Sequence, residues 1–167
     1  MIIPLLQFPN GGKVEMYSTV NRAASDFQNV FECCRLFAEM GDHAIITPQL
    51  DETIGNHVYE EIYASLRGTQ YWGKCPDFNV NGFWYEHEGF STNKDLNDPK
   101  KRKLTYSNML NRGIKQSERI VLEDCHIGRY YAKRAIFKRI HFEKQKITEI
   151  YIRTSTCLEL LYRKKED

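Results

Sequence analysis

Apolar positions along the chain change period several times, and each change predicts an element. Ile2–Phe8 and Val14–Tyr17 flank the turn-forming run Pro9-Asn10-Gly11-Gly12, which predicts a short N-terminal hairpin. Phe27, Val30, Phe31, Cys34, Phe37 and Ala38 then recur at the three-and-four spacing of one helix face, with Asp26, Gln28, Glu32, Arg35 and Glu39 mostly on the other. Gly41 supplies the stop. Residues 43–47 read as a short buried strand ended by Pro48. Residues 48–57 read as loop, and Val58–Leu66 as a short helix with Val58, Ile62 and Leu66 on its inner face.

The strongest local signal in the second quarter is Asn81-Gly82. It predicts a hairpin of Phe78–Val80 with Phe83–Glu88. Alternation along the second strand sends Phe83, Tyr85 and His87 one way and Trp84, Glu86 and Glu88 the other. Two carboxylates on one face repel unless a cation, a metal, a proton or water accommodates them. With Asn81 and Gly82 at the tip, Asp77 falls in register near Glu86.

Residues 91–103 form the longest polar stretch and predict a mobile basic loop ending in Lys100, Lys101, Arg102 and Lys103, a run suited to phosphate contact. Leu104–Ser117 reads as a helix weakened by Gly113. Tyr106, Met109, Leu110 and Ile114 form its stripe, and Asn108, Arg112, Lys115 and Gln116 lie off it. Arg119–Glu123 reads as a buried strand. Ile127–Phe142 reads as a basic amphipathic segment with Lys133, Arg134, Lys138 and Arg139 outward. Residues 147–154 and 157–163 alternate as a terminal hairpin with Arg153 and Thr154 at its turn.

At 167 residues, with 41% apolar and 28% charged residues, the chain is expected to be one α+β domain, with residues 1–20 an N-terminal extension or hairpin. No apolar run is long enough for a membrane span, and the N-terminus lacks the pattern of a signal peptide. Five cysteines without metal-type spacing point to reduced thiols and a cytoplasmic setting. Charge is strongly asymmetric. Residues 1–90 hold 5 Lys/Arg against 12 Asp/Glu, and residues 91–167 hold 19 against 10. A basic C-terminal half suits an anionic partner such as nucleic acid, or pairing with the acidic half.

In order and residue type, the region from about Phe31 onward resembles the nuclease domains of bacterial toxins. It is most similar to the C-terminal tRNase domain of contact-dependent inhibition (CdiA-type) toxins, in the barnase/EndoU/colicin/RelE-like superfamily. The residues that carry the likeness are the helix ending at Gly41 with its following strand, Pro76-Asp77-Phe78-Asn79-Val80-Asn81-Gly82, the Tyr85–Glu88 strand, the Asn108–Gln116 segment with Arg119–Glu123, and the final strand pair. The resemblance implies an α+β fold, with helices on a mainly antiparallel sheet, and metal-independent cleavage of RNA such as tRNA. It also implies an immunity or antitoxin partner. By this likeness His87 or Glu88 is the base beside Glu86, Arg112 and Lys115 stabilise charge, and Arg153 or Thr154 contacts phosphate. Lys100–Lys103 and Gln116 would bind the nucleic acid. Relatives often carry Glu-x-Lys where this chain has Glu86-His87-Glu88. A second likeness, to metal-dependent PD-(D/E)xK nucleases, implies Mg²⁺ held by Asp77, Glu86 and Glu88. A third reading is a non-catalytic module that binds nucleic acid or a partner protein.

Overall fold

The computed structural model describes residues 1–90 and 96–166. Its class is α+β, as expected, and among the described residues four of the seven strand pairings are antiparallel. The chain divides into two compact units, Met1–Tyr85 and Glu86–Asp167, with the boundary inside a strand.

The first unit opens on β1 (Ile2–Gln7) and β2 (Lys13–Tyr17), an antiparallel hairpin, followed by α1 (Phe27–Glu39) and β3 (His43–Ile46), which pairs parallel to β2. Val30, Cys33, Cys34, Leu36, Phe37 and Ala38 of α1 are buried, and its apolar stripe covers the sheet. Gly12 packs so tightly that a Cβ there would lie 1.7 Å from the Ala38 carbonyl oxygen, so only glycine fits where the hairpin meets the end of α1. Gly41 adopts φ +101°, the left-handed conformation expected of a helix stop.

Helix α2 (His57–Ile62) is capped by Asn56, whose side chain accepts from the Val58 and Tyr59 amides, and a 3₁₀ turn at Ala64–Leu66 follows. The inner face here is Tyr59, Tyr63 and Leu66, not the expected Val58, Ile62 and Leu66. The two tyrosines can be buried because their hydroxyls donate to the Lys74 and Pro48 carbonyls. β4 (Phe78–Val80) and β5 (Phe83–Glu88) pair about Asn81-Gly82, both residues at positive φ.

In the second unit, the end of β5 runs parallel to β6 (Arg119–Glu123), β6 runs parallel to β7 (Glu149–Arg153), and β8 (Leu158–Arg163) returns antiparallel. The crossovers are α3 (Pro99–Gly113) and α4 (Tyr130–Phe137), the latter continued by a π-helical turn at Lys138–Phe142. Tyr106, Met109 and Leu110 of α3 and Ala132, Ala135 and Ile136 of α4 pack on Ile120, Leu122, Ile150 and Ile152. Both helices therefore cover one face of this sheet.

Here the structure corrects three expectations. Lys100–Lys103 lie in the first turns of α3 and not in a loop. Asp98 accepts from the Lys100 amide and Pro99 occupies the first turn, so the helix starts at its cap even though the basic run carries no apolar period. Residues 91–95 of the expected loop lie outside the described residues. Lys115 and Gln116 fall in the turn after α3, which ends at Gly113. Arg139 points inward, 6% exposed, because Glu143 and Ser107 bind its two Nη atoms.

Candidate functional site

Strand alternation sorts the second unit's polar side chains onto two faces. Glu86 pairs with Ile120 and Glu88 with Leu122, and both of those partners belong to the core under α3 and α4. The two acids thus point to the helical side, and His87, in register with Val121, points to the other.

On the helical side, Arg112 at the end of α3 meets the end of β5. Its Nε donates to Glu88 Oε2 at 3.0 Å and its Nη2 to the Gly89 carbonyl at 2.8 Å. Gly113 makes this approach possible. A Cβ there would lie 3.1 Å from Glu88 Cγ and 3.1 Å from two Ile120 side-chain carbons. The glycine that weakens the helix on propensity is therefore a packing requirement. Burial pushes the Glu88 carboxyl above the ordinary glutamate value, and the Arg112 hydrogen bond and charge pull it back only partly. The guanidinium is half exposed, so water screens the attraction that would otherwise dominate. The outcome is a proton-accepting group poised above its usual range, beside a fixed cation.

His87, Glu123 and Arg153 join on the opposite face. His87 Nε2 lies 2.9 Å from Glu123 Oε2, and Arg153 binds both carboxylate oxygens, at 3.0 and 2.7 Å. Burial would raise the Glu123 carboxyl, but the His87 bond and the Arg153 and His87 charges together hold it below the ordinary value. Arg153 is the last residue of β7, paired with Leu158, and is committed to Glu123; it does not sit at the hairpin turn. Thr154 does sit there, its hydroxyl accepting from the Thr156 and Cys157 amides. Glu123 carries no mark in the sequence beyond ending an apolar strand, because its partners come from β5 and β7.

Asp77 belongs to the first unit. It is 8% exposed, its carbonyl accepts from the Thr47 amide, and Gln49 Nε2 lies 3.3 Å from its Oδ1. Beside it Thr47, Gln49, Asn21 and Asp26 line a small cavity of about 180 Å³. Among the described residues, no group of three or more His, Cys, Asp or Glu side chains is placed to hold a metal ion. No described helix is long and apolar enough to cross a membrane. No family model, no curated protein and no solved structure matches the chain.

Proposed function

We propose that this chain is a toxin-like nuclease domain that cleaves RNA, with tRNA as its first candidate substrate, by metal-independent transesterification. The observation that carries the reading is the Glu88–Arg112 pair, a buried carboxyl with a raised proton affinity held against a guanidinium. In the reaction the Glu88 carboxylate takes the ribose 2′-OH proton. The 2′-oxygen bonds to phosphorus, the bond to the 5′-oxygen breaks, and water protonates the leaving oxygen. Arg112, with Lys115 from the following turn, stabilises the charge that builds on the phosphoryl oxygens. Between the two candidate bases, Glu88 is favoured over His87, which faces away from Arg112 and is bound to Glu123.

One observation favours a second reading. Glu86 and Glu88 share a face of β5, as carboxylates do when they share Mg²⁺. The deciding experiment incubates the purified protein with tRNA, with and without EDTA. Cleavage that survives EDTA, yields cyclic phosphate ends and disappears in Glu88→Gln supports the first reading. Cleavage that stops in EDTA and returns with Mg²⁺ transfers the site to the second. No cleavage of RNA or DNA under either condition defeats both.

A further inference from the structure

We infer that the outer groove between α3 and α4 is a binding site for single-stranded RNA, in which bases stack on Phe137 and Phe142 and phosphates meet Lys103, Arg134 and Lys138. The groove has a volume of about 640 Å³ and is lined by these residues together with Leu104 and Tyr131, and among the described residues no acidic side chain lines it. Phe142 is 76% exposed and Phe137 54%, a high exposure for aromatic rings in a helical segment.

The local backbone explains why they stay out. The π-helical turn after Phe137 shifts the register so that Arg139, not an aromatic ring, faces inward. Its guanidinium is pinned by Glu143 at 2.6 Å and by the Ser107 hydroxyl and carbonyl of α3 at 2.8 and 3.1 Å. With Arg139 anchored, Phe137 and Phe142 stand edge to face, ring centres 6.1 Å apart, on the outer side. The two rings together present an aromatic surface to solvent.

Charge selects the occupant. The second unit carries nineteen Lys/Arg against twelve Asp/Glu, and Lys100, Lys101 and Lys133 stand exposed on the same two helices. Exposed rings interleaved with cations match a strand that offers a π-face and a negative charge at every nucleotide. The one acid beside them, Glu143, is held by Arg139 at 2.6 Å and lies 4.0 Å from Lys138. A duplex buries all but its terminal base faces and offers the rings almost nothing to stack on along its length. This inference rests on the nuclease reading for the choice of RNA, and it adds a holding surface separate from the Glu88–Arg112 pair.

The test measures binding of a fluorescent single-stranded RNA 12-mer, and of the blunt duplex of the same sequence, to the full chain carrying Glu88→Gln so that the probe survives. The expected result is tighter binding of the single strand and a loss of roughly ten-fold or more in Phe137→Ala/Phe142→Ala. Arg134→Ala/Lys138→Ala should flatten the slope of log affinity against log salt by about 0.7 for each phosphate that is no longer neutralised. Circular dichroism checks that these surface variants fold. Equal RNA affinity in parent and ring variants overturns the inference, as does a duplex bound as tightly as the single strand. The two proposals fail separately. RNA held through the rings but never cleaved by the unmutated chain defeats the nuclease reading alone, and cleavage with unchanged kcat/KM in the ring variants defeats this one alone.

Discussion

Arg112 reaches Glu88 through Nε at 3.0 Å, yet the Glu88 carboxyl remains easier to protonate than an ordinary glutamate. Burial outweighs the ion pair because the cation is half in water. Removing the charge from Glu88 should therefore be tolerated by the fold and not by the chemistry. Glu88→Gln is expected to change stability by less than about 1 kcal/mol and to lower RNA cleavage by roughly 10²–10⁴-fold, the usual worth of a positioned base. Urea unfolding beside a cleavage assay reads both. Loss of fold and activity together would assign Glu88 to structure only.

Gly113→Ala sets helix propensity against space. Alanine gains up to about 1 kcal/mol in a helix interior, and less at Gly113, the last residue of α3. Its Cβ would press at 3.1 Å on Glu88 Cγ and on Ile120, a side chain fixed in the core. The expected net effect is destabilisation of about 1 kcal/mol, with displacement of Glu88 from Arg112. A stabilised variant with unchanged activity would show that the packing relaxes freely.

At Gly12 no relaxation is available, because the obstructing atom is the Ala38 backbone carbonyl. Gly12→Ala should cost about 3 kcal/mol or more, or fail to fold. Gly11→Ala meets no atom within 4 Å, and its strain is that of φ +91° alone. Thermal melts of the two variants should separate by several degrees, Gly12→Ala being the lower.

The Glu123 carboxyl, held below its ordinary value, contributes stability that is present above the unfolded value and is lost as pH falls through the folded one. The Glu88 carboxyl, raised, contributes with opposite sign: its share is present below the unfolded value and is lost as pH rises through the folded one. Glu123→Gln should therefore flatten the fall in Tm as pH drops from about 4.5, the ordinary glutamate region. Glu88→Gln should steepen that acid fall. An unchanged acid limb in Glu123→Gln would mean that His87 and Arg153 hold the neutral side chain equally well.

Cys157 is exposed, whereas Cys33, Cys34, Cys75 and Cys125 are buried and all five are free thiols. Burial, the neighbouring Cys33 and Asp77 push the Cys34 thiol well above its ordinary value. Native maleimide labelling should modify Cys157 fast and the others only on unfolding, and intact-mass spectrometry counts the additions. Rapid labelling at a second thiol would reveal local opening.

Much of this fold is legible in the sequence because the signals are local. Asn81-Gly82 needs two positive-φ residues, the α1 stripe needs only its period, and the alternating final strands need only parity. Parity also puts Glu86 and Glu88 on one side of β5 and His87 on the other. The local pattern fails where a polar run forms the start of a helix, as at Lys100–Lys103, because a single cap decides what no apolar period announces. What tertiary structure alone decides is partnership. Arg112 lies 24 residues from Glu88, and Arg153 lies 30 from Glu123. Arg139 looks like any surface arginine until Ser107 comes beneath it. Chain sequence fixes which side chains exist and which way neighbours alternate. Which charges meet depends on parallel crossovers that bring distant strands and helix ends together, and no spacing along the chain encodes that distance.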